Sequence, residues 1–562
     1  MLKNKKRNKN NGFSQAVVPK YRPTLLYKNN QKLKHFKRLE LAIGAQAFYI
    51  GYTITRCTKM ATVTYSLQHN GDTPVIVAVE CHSSKGLPSV TIVGLTNKAV
   101  DESKERIRAA FVSSGLTFPK KRLTINLAPA DVPKSGTSFD CAIALAVLQA
   151  SGLVPQQKDV MLFGELGLDG SVKGVRGIVG KVLAARNAGY ETILVPAQNL
   201  QQALLVPRVS IVALESLLQL VGHFSSSPLQ TTHTQDGVYA PPVVDDGDVP
   251  DIADVIGQER AKRALLVAAA GGHNILLNGP PGMGKSMLAK TLIGLLPSLQ
   301  HDEAVYITHI HSLGNADISK PVYTRPFRSP HHSASDISIV GGGQNPRPGE
   351  ITLAHGGVLF LDELPEFRRG TIESLRQPLE DGVITVARAK ETVTYPAQFM
   401  LIATRNPCPC GYFGSTHECV CTPAQIANYN KKISGPITDR IDMHITVDTV
   451  EHKDLLKTRS NKQSAHLRSV VERVRATQAE RYKNGGATNA KASSQAIKQN
   501  LQLASEAKQL LDTAAERLQL SPRVYMKTIK IAQTIADIDQ SKDIRIQDIT
   551  EALQYRPVNI QL

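Results

Sequence analysis

The sequence predicts an α/β protein built around a phosphate-binding module, in which a parallel sheet carries helices on both faces and a helical domain follows. Three observations support this fold class. A glycine-rich loop at residues 279–286 lies between an apolar strand pattern and an apolar-periodic helix pattern. A second buried strand pattern ends in Asp362 and Glu363. Strand and helix patterns also alternate through residues 60–224, which indicates a separate α/β domain before the module.

Charge is distributed unevenly along the chain. The 562 residues suggest roughly three or four domains, and an apolar fraction of 42% is sufficient for real cores. Residues 1–59 hold 14 Lys and Arg against one acid and supply 13 of the 18 net positive charges. The high pI therefore does not indicate nucleic-acid binding by the folded body. We expect residues 1–59 to be disordered or an upstream extension, with Met60 as the natural start.

Composition also predicts the domain boundaries. The α/β domain covers residues 60–224, and a polar segment rich in Pro and Asp at residues 225–250 is typical of a linker. We expect the phosphate-binding module at residues 251–450 and a helical lid at 451–562. No apolar run approaches the ~18 residues of a transmembrane helix. We prefer a cytoplasmic protein without membrane contact over a signal sequence at residues 39–52.

The patterns of the first domain predict its elements in order. β-Branched runs favour strands, a 3.6-residue period favours helices, and Asp169-Gly170 is typical of a tight hairpin turn. The predicted elements are a strand at 75–84, a strand at 89–95, a helix at 98–115, a strand at 122–129, a helix at 138–152 ending at Gly152, a hairpin at 159–177, and a helix followed by a strand at 181–196. This domain carries no phosphate loop of its own.

The loop GPPGMGKS predicts a phosphate cradle. Its glycines let backbone N–H groups point at phosphate oxygens, and the helix that follows adds its N-terminal partial charge. Lys285 can reach the β- and γ-phosphates, and Ser286 can ligate Mg²⁺. Ile256 and Gly257, upstream of the loop, are expected to shape the adenine pocket. The predicted nucleotide contacts of the loop are Gly279, Pro280, Pro281, Gly282, Met283, Gly284, Lys285, Ser286 and Met287.

Polar residues at the ends of two later strand patterns complete the predicted site. An acid at the C-terminal end of a parallel strand faces the nucleotide crevice. We expect Asp362 to hold Mg²⁺ through its water shell, and Glu363 to orient and deprotonate the attacking water. The segment 399–411 begins with an apolar strand pattern that ends in Asn406, whose amide can contact the γ-phosphate or the water.

Two arginines occupy positions that indicate a role in transition-state stabilisation. Arg440 lies in a charged turn before a strand pattern, and in ring ATPases such an arginine serves the neighbouring subunit's site. Arg523 lies in the first turn of a helix with Ser521 as N-cap and Pro522 at its first position. We expect Arg523 to reach the γ-phosphate from the lid. A surface salt bridge is the alternative for each arginine.

Four of the seven cysteines are close together in the sequence, at Cys408, Cys410, Cys419 and Cys421. We call these four residues the cysteine cluster. Its two C-x-C pairs can wrap one tetrahedral zinc ion, although C-x₂-C is the usual spacing. The alternative is a redox-sensitive or unmetallated loop. An odd cysteine count with one tight cluster indicates a reducing compartment.

The segment 325–350 is predicted to be an insertion before the Asp362 strand. It combines basic residues with a Gly341-Gly342-Gly343 run, and its cationic side chains are Arg325, Arg328, His331 and His332. Such a segment can line a central pore and bind nucleic-acid phosphates. A structural hairpin is the equally weighted alternative.

Taken in order, GPPGMGKS, RPFRSPHH, GGVLFLDELPEF, NPCPCGY, SGPITDRID and SPRVYMKTIKIAQTIAD resemble the Mg-chelatase-like AAA+ ATPases of the ComM/YifB competence family. The resemblance covers about residues 60–557. It implies a homohexameric AAA+ ATPase that uses ATP and Mg²⁺, with a Lon-protease-like N-terminal domain. It further implies a DNA helicase for single-stranded and branched DNA, which drives branch migration beside recombination proteins during natural transformation.

By the same resemblance, the site residues take family roles. Lys285 and Ser286 correspond to Walker A, Asp362 and Glu363 to Walker B, Asn406 to sensor 1, Arg440 to the arginine finger and Arg523 to sensor 2. Arg405 departs from the pattern, because a small or apolar residue is expected before Asn406.

The N-terminal domain requires a separate interpretation. PKSGTSFD resembles the nucleophile segment of Lon proteases, with Ser138 at the serine position. Aligning the helix that follows puts Val179 at the lysine position and Lys181 two residues further on. Because valine cannot activate a hydroxyl, we expect a protease-like fold kept for DNA or partner contact. A protein-remodelling ATPase and an ATP-dependent protease remain the alternatives to a DNA translocase.

Overall fold

The computed structural model describes residues 61–70, 73–134, 136–157, 159–234, 249–314, 322–343, 347–387, 392–415, 417–447, 462–483 and 488–557 of the chain. The chain divides into two units, Met1–Met60 and Ala61–Leu562. The predicted basic extension and the predicted start at Met60 lie outside the described residues. Within those residues, no helix is both long and apolar enough to cross a bilayer.

The N-terminal domain is built on one large mixed sheet. Its strands are β1 (Thr62–Asn70), β2 (Thr73–Ser84), β3 (Ser89–Val93), β4 (Arg122–Ala128), β5 (Met161–Leu162), β6 (Glu165–Leu166), β7 (Val172–Lys173), β8 (Thr192–Pro196), β9 (Ser210–Leu214) and β10 (Thr231–His233). Its helices are α1 (Lys98–Asp101), α2 (Ser103–Ser113), α3 (Asp140–Ser151), α4 (Ile178–Asn187), α5 (Leu200–Ala203) and α6 (Leu217–Ser225). The sheet order is β10-β9-β8-β5-β1-β2-β4-β3, and β6 and β7 form a separate hairpin.

Helix α3 forms the centre of this domain. Every residue from Asp140 to Gln149 is buried, in keeping with a sequence that is apolar around the whole helix. The Thr64 hydroxyl on β1 donates to the Ala142 carbonyl at 2.8 Å, and the Thr62 hydroxyl donates to the Ala146 carbonyl at 2.9 Å. These two threonine hydroxyls of β1 are thereby hydrogen-bonded to the helix. The helix ends as predicted at Gly152, whose φ of +78° makes it a left-handed cap.

Several predicted bounds in this domain differ from the structure. The helix expected at 98–115 is divided at Glu102 into α1 and α2, because Asn97 caps a first turn that ends there. The hairpin expected at 159–177 is shorter, since β5 pairs with β1 and β8 in the main sheet. Its turn lies at Asp169-Gly170 as predicted, between β6 and β7.

The predicted linker at 225–250 is wrong in part. Residues Thr231–His233 form β10, which pairs antiparallel with β9 and extends the sheet at its edge. Residues 235–248 of that segment lie outside the described residues. A three-residue strand is too short to show an alternating pattern, and backbone pairing with β9 defines it instead.

The phosphate-binding module contains the predicted parallel sheet. Its strands are β11 (Ile275–Asn278), β12 (Phe327–Arg328), β15 (Val358–Leu361), β18 (Met400–Arg405) and β19 (Met443–Thr446), and two hairpins are formed by β13 (Gly341–Gly342) with β14 (Arg347–Pro348) and by β16 (Val383–Ala387) with β17 (Thr392–Pro396). Its helices are α7 (Glu259–Gly271), α8 (Lys285–Leu295), α9 (His301–Gly314), α10 (Asp336–Val340), α11 (Glu350–Leu353), α12 (Arg369–Ser374), α13 (Arg376–Asp381), α14 (Pro423–Lys431) and α15 (Gly435–Thr438).

Both faces of this sheet are covered. The order is β12-β15-β18-β11-β19, and every neighbouring pair is parallel. Ile275 and Leu277 of β11 point into one apolar core, while Leu276 between them points into another. Burial on both faces explains why these strands have continuous apolar sequences without polar alternation.

The chain ends in a group of helices that packs on the module. These are α16 (Ser464–Tyr482), α17 (Ser494–Asn500), α18 (Ser505–Arg517), α19 (Pro522–Ile538) and α20 (Ile546–Gln554). Val471, Val474 and Ile529 share one apolar core with α7 and α8. Arg475 on α16 donates to the Ala269 carbonyl of α7 at 2.6 Å. The helical character is as predicted, while the expected boundary at residue 450 lies outside the described residues.

Helix α9 connects the module to the N-terminal domain. It packs against α4, where Gly180 approaches His309 so closely that a Cβ atom on the glycine would lie 2.1 Å from the imidazole ring. The His309 ring lies 4.8 Å from the ring of His69 on β1. Val305 on α9 belongs to the apolar core of the N-terminal domain. Only a residue without a side chain at position 180 permits this approach.

Candidate functional site

The phosphate loop has the predicted strand–loop–helix context. Strand β11 ends at Asn278, and α8 begins at Lys285 with Gly284 as its cap at φ +76°. The side chain of Met283 packs against the module core, and Met287 is 39% exposed. Ile256 and Gly257 lie shortly before α7, and their adenine contact stays a prediction.

Lys285 is held by three oxygen acceptors. Its Nζ donates to the carbonyls of Gly279 at 2.6 Å and Pro280 at 2.8 Å, and to Asn406 Oδ1 at 2.9 Å. Burial lowers the pKa of Lys285, while Asp362 and Glu363 raise it. The predicted Walker A lysine at the start of α8 and the predicted sensor 1 asparagine after β18 are therefore in direct contact.

Asp362 is fixed by hydroxyl groups on both of its oxygens. Ser286 Oγ donates to Oδ2 at 2.9 Å, and Thr404 Oγ1 donates to Oδ1 at 2.5 Å. The Thr404 hydroxyl also accepts from the backbone N–H of Glu363 at 2.8 Å. Sequence reasoning missed Thr404, although the parallel pairing of Leu361 with Ala403 places the two strand ends together. Thr404 positions both acids of the pair.

Glu363 has an unusual backbone conformation. Its φ is +54°, a left-handed conformation that costs about 1–2 kcal/mol for a residue with a side chain. The Thr404 contact and the turn Leu364–Glu366 that follows hold it there. Asn406 Nδ2 donates to Glu363 Oε1 at 3.4 Å. The carboxylate is thereby turned towards the lysine and the asparagine of the same strand edge.

Arg440 and Arg523 lie together in a different cleft. Both line a cavity of about 650 Å³, and none of the described phosphate-loop residues lines it. Arg440 donates to the Pro436 carbonyl at 2.7 Å and forms an ion pair with Glu380. Ser521 caps the helix of Arg523 as predicted, accepting from Val524 N at 3.3 Å. The structure thus brings the two arginines together but keeps them apart from their own chain's Lys285.

Arg325 and Arg328 of the insertion at 325–350 are bound within the chain. Arg325 donates to the carbonyls of Pro297 at 2.6 Å and Gly356 at 2.8 Å. Arg328 forms a two-point ion pair with Glu350 at 2.5 and 2.7 Å. The glycine run begins the β13–β14 hairpin. These contacts correspond to the structural-hairpin alternative for the two arginines.

The two histidines of the insertion differ from its arginines. The rings of His331 and His332 are 4.1 Å apart, and the side chain of His331 is exposed. Ile337, on the short helix that follows, is 57% exposed. The solvent-facing part of the insertion therefore includes its histidine segment as well as the exposed Arg347, and a pore-lining role for it stays a prediction.

The sulfur atoms of the cysteine cluster converge. Cys408 Sγ lies 3.3 Å from Cys410 Sγ and 3.7 Å from Cys419 Sγ, and the last two sulfurs are 3.6 Å apart. All four sulfurs lie within 4.8 Å of one another. The cluster is therefore compatible with a single zinc ion.

The N-terminal domain corrects one sequence interpretation. Lys181 Nζ lies 3.4 Å from Ser138 Oγ and also donates to the Leu67 carbonyl at 2.7 Å. Burial lowers the pKa of Lys181 to about 8. Val179, which the alignment put at the lysine position, is instead buried in the domain core. The argument that no amine lies near Ser138 is therefore wrong.

Comparisons with known proteins agree with this architecture. Three family models match the chain. The model "Magnesium chelatase, subunit ChlI" matches residues 251–455, and the model "Subunit ChlI of Mg-chelatase" matches residues 79–199. The model "Magnesium chelatase, subunit ChlI C-terminal" matches residues 461–556. Protein YifB of Escherichia coli K12 is 42% identical over 486 residues, which cover 86% of this chain and 94% of YifB. Competence protein ComM of Haemophilus influenzae is 40% identical over 501 residues, 88% of this chain and 97% of ComM. Lon protease 2 of Herpetosiphon aurantiacus shares 31% identity over 177 residues, 29% of this chain and 22% of that protease.

The contacts of Thr404 generate a prediction. We expect Thr404→Val to lower the ATP turnover of this site by about 10- to 100-fold, because Asp362 and the Glu363 amide each lose a hydrogen bond. ATP binding should persist, since the Lys285 contacts are untouched. The control is Thr404→Ser, which keeps the hydroxyl. Steady-state turnover and equilibrium binding of a fluorescent ATP analogue measure the two effects, and full turnover by the valine variant would contradict the positioning role.

Proposed function

This chain belongs to the magnesium chelatase ChlI family, with YifB and ComM, and we propose that it is an ATPase that moves DNA. The observation that carries the ATPase assignment is the convergence of Lys285, Asp362, Glu363 and Asn406 at one edge of a parallel sheet. Ligands of open parallel sheets bind at this edge, beyond the carboxyl ends of the strands.

The residues at this edge of the sheet have separate roles in the proposed hydrolysis of ATP. Lys285 and the N-terminus of α8 bind the phosphates of ATP. Ser286 and Asp362, whose oxygens are 2.9 Å apart, would hold Mg²⁺, which neutralises phosphate charge when bound. Glu363 accepts a proton from the attacking water, and Asn406 orients that water together with the γ-phosphate. The positive φ of Glu363 keeps its carboxylate aimed at the site.

The separate location of Arg440 and Arg523 supports a ring. Both arginines line a cleft away from their own phosphate loop, so we infer that they complete the site of a neighbouring subunit. A heterologous contact of this kind closes into a cyclic assembly. We propose a homohexamer in which ATP is cleaved between subunits.

The proposed nucleic-acid substrate is single-stranded and branched DNA. One similar protein is named for competence, and the present chain is 40% identical to it over nearly its whole length. We propose that hydrolysis moves the subunits against each other and drives branch migration, as incoming DNA is integrated by recombination during natural transformation in the cytoplasm. The exposed segment around His331 is a candidate DNA contact in the pore. A protein-remodelling ATPase is the alternative, and it would respond to a protein partner instead.

A second candidate function is hydrolysis by a serine–lysine dyad in the N-terminal domain. The 3.4 Å distance between Lys181 Nζ and Ser138 Oγ favours it, because a neutral amine can take the hydroxyl proton. Both side chains are largely buried, with 7% and 9% exposure, and Lys181 is also engaged by Leu67. These contacts equally suit a binding domain that has kept the protease fold.

Variants of the nucleotide site test the DNA translocase. We predict that DNA with single strands or forks stimulates ATP turnover by the wild type and that the protein promotes branch migration. Glu363→Gln should bind ATP yet lose at least about 100-fold in turnover, because no base accepts the proton. Lys285→Ala should lose nucleotide binding. A wild-type protein that hydrolyses ATP but neither responds to nor unwinds any of these DNAs would refute the DNA assignment and favour protein remodelling.

Mixing two inactive variants tests whether Arg440 acts on a neighbour. Arg440→Ala and Lys285→Ala should each be inactive as pure proteins. In mixed rings, some subunit interfaces combine the intact Lys285 of an Arg440→Ala subunit with the intact Arg440 of a Lys285→Ala subunit. We therefore expect co-assembled variants to regain DNA-dependent ATP turnover. Mixing Glu363→Gln with Lys285→Ala provides the control. Lys285 and Glu363 belong to the same subunit's part of the site, so no interface in this mixture has both residues intact. Equal inactivity of both mixtures would place Arg440 in its own subunit's site.

An activity-based probe tests the dyad. If the dyad works, a fluorophosphonate labels the wild type but not Ser138→Ala or Lys181→Met, and ATP turnover is the same in all three proteins. Labelling should increase as the pH rises through about 8, since the lysine must be neutral to act as a base. An unlabelled wild type at every pH would leave the domain a binding scaffold.

A further inference from the structure

We propose that the cysteine cluster binds one zinc ion and that this ion clamps the phosphate loop, so that ATP affinity depends on the metal. The inference rests on the ATP site of the proposed function. It adds a metal-dependent support to that site, built from the loop that follows β18.

The sulfur geometry fits one tetrahedral ion. Metal–sulfur bonds of about 2.3 Å give sulfur–sulfur edges of about 3.8 Å in a tetrahedron. The separations among Cys408, Cys410 and Cys419 are 3.3, 3.6 and 3.7 Å. A disulfide needs about 2.05 Å, so these thiols are not paired covalently. An iron–sulfur cluster places several iron atoms between its thiolates and needs a wider arrangement.

Backbone groups hold two of the sulfurs in place. The N–H of Cys410 points at Cys421 Sγ at 3.4 Å, and the N–H of Phe413 points at Cys408 Sγ at 3.3 Å. Hydrogen bonds to the ligand atoms from groups that do not bind the metal orient those ligands and restrict their rotation. The backbone therefore presents the sulfurs towards one point, as a preformed site requires.

The loop touches the phosphate loop at two places. Asn406, two residues before Cys408, accepts the 2.9 Å hydrogen bond from Lys285. Gly411, one residue after Cys410, approaches Pro281 so closely that a Cβ atom at position 411 would lie 2.7 Å from the proline ring. Movement of the cysteine loop would therefore displace both the lysine partner and the backbone that cradles phosphate.

The cysteine loop has no regular secondary structure to hold it in position. Among its described residues between β18 and α14, 406–415 and 417–422, no helix or strand is formed. Loops longer than about 12–15 residues without secondary structure are uncommon in compact domains and usually have a function. Cys408 is fully buried, whereas Val420 is 80% exposed, so one end of the loop lacks an apolar anchor. A metal ion bound by all four cysteines would connect the exposed end of the loop, at Cys419 and Cys421, to the buried end at Cys408 and Cys410.

Metal content is the first test. We expect the purified wild-type chain to carry one zinc per subunit by elemental analysis, and Cys419→Ser with Cys421→Ser to carry none. Lys285→Ala should retain the zinc, because it removes one contact to Asn406 but none of the four sulfur ligands. Iron with visible absorbance in place of zinc, or a wild type that stays metal-free after incubation with zinc and shows four freely reactive cluster thiols, would overturn the proposal.

Alanine substitutions at two glycines of the cysteine loop test whether this loop supports the phosphate loop. Gly411 and Gly414 have φ of +86° and +76°, so alanine is similarly strained at both, but only at position 411 would the new methyl group meet Pro281. We expect Gly411→Ala to weaken binding of a fluorescent ATP analogue at least about tenfold while keeping its zinc. Gly414→Ala should bind the analogue within about twofold of the wild type after correction for the fraction folded.

Zinc removal completes the test. Stripping the wild type with a chelator should weaken analogue binding to a similar extent, and adding zinc should restore it. Stripped protein that binds the analogue as well as the loaded form, or equal affinity of the two alanine variants, would refute the clamp even if zinc is present. Failure of the loaded wild type to bind any ATP analogue would instead refute the proposed function, so the two failures remain distinguishable.

Discussion

The parallel pairing of β11, β15 and β18 determines where the polar groups of the nucleotide site lie. Leu277 pairs with Thr404, and Leu361 pairs with Ala403, so the three strands end at one edge. Their side chains alternate between two apolar cores. A shift of one residue in any strand would exchange its two faces and move the polar residue at its end. The hydrophobic burial of the sheet therefore also specifies the relative positions of the lysine, the acids and the asparagine.

Patterns local to one stretch could be predicted from the sequence. The strand before the phosphate loop, the helix after it, the acid pair at 362 and 363 and the cap at Ser521 all depend on residues within a few positions of one another. Thr404 could not be found in this way, because its role follows from the register of two strands about 40 residues apart in the sequence. The short edge strand at Thr231–His233 depends in the same way on a backbone partner remote from its composition.

The direction in which side chains point around α4 explains the other main difference between sequence and structure. Val179 and Lys181 are two positions apart on α4, so they point to opposite sides of the helix. The alignment considered only position along the chain, whereas orientation decides which side chain faces Ser138. The arginines show a related limit. Arg440 and Arg523 are recognisable by their local context, but only the packing of α19 shows that they share one cleft with Glu380.

The contact between α4 and α9 has a mechanical consequence. Helix α8 starts at the phosphate loop, and α9 follows it after the connection 296–300. On α4, Gly180 leaves the space that the His309 imidazole of α9 occupies, and a Cβ atom at position 180 would lie 2.1 Å from that ring. Any side chain at position 180 would therefore have to push α9 away from α4, which would separate the module from the N-terminal domain at this contact.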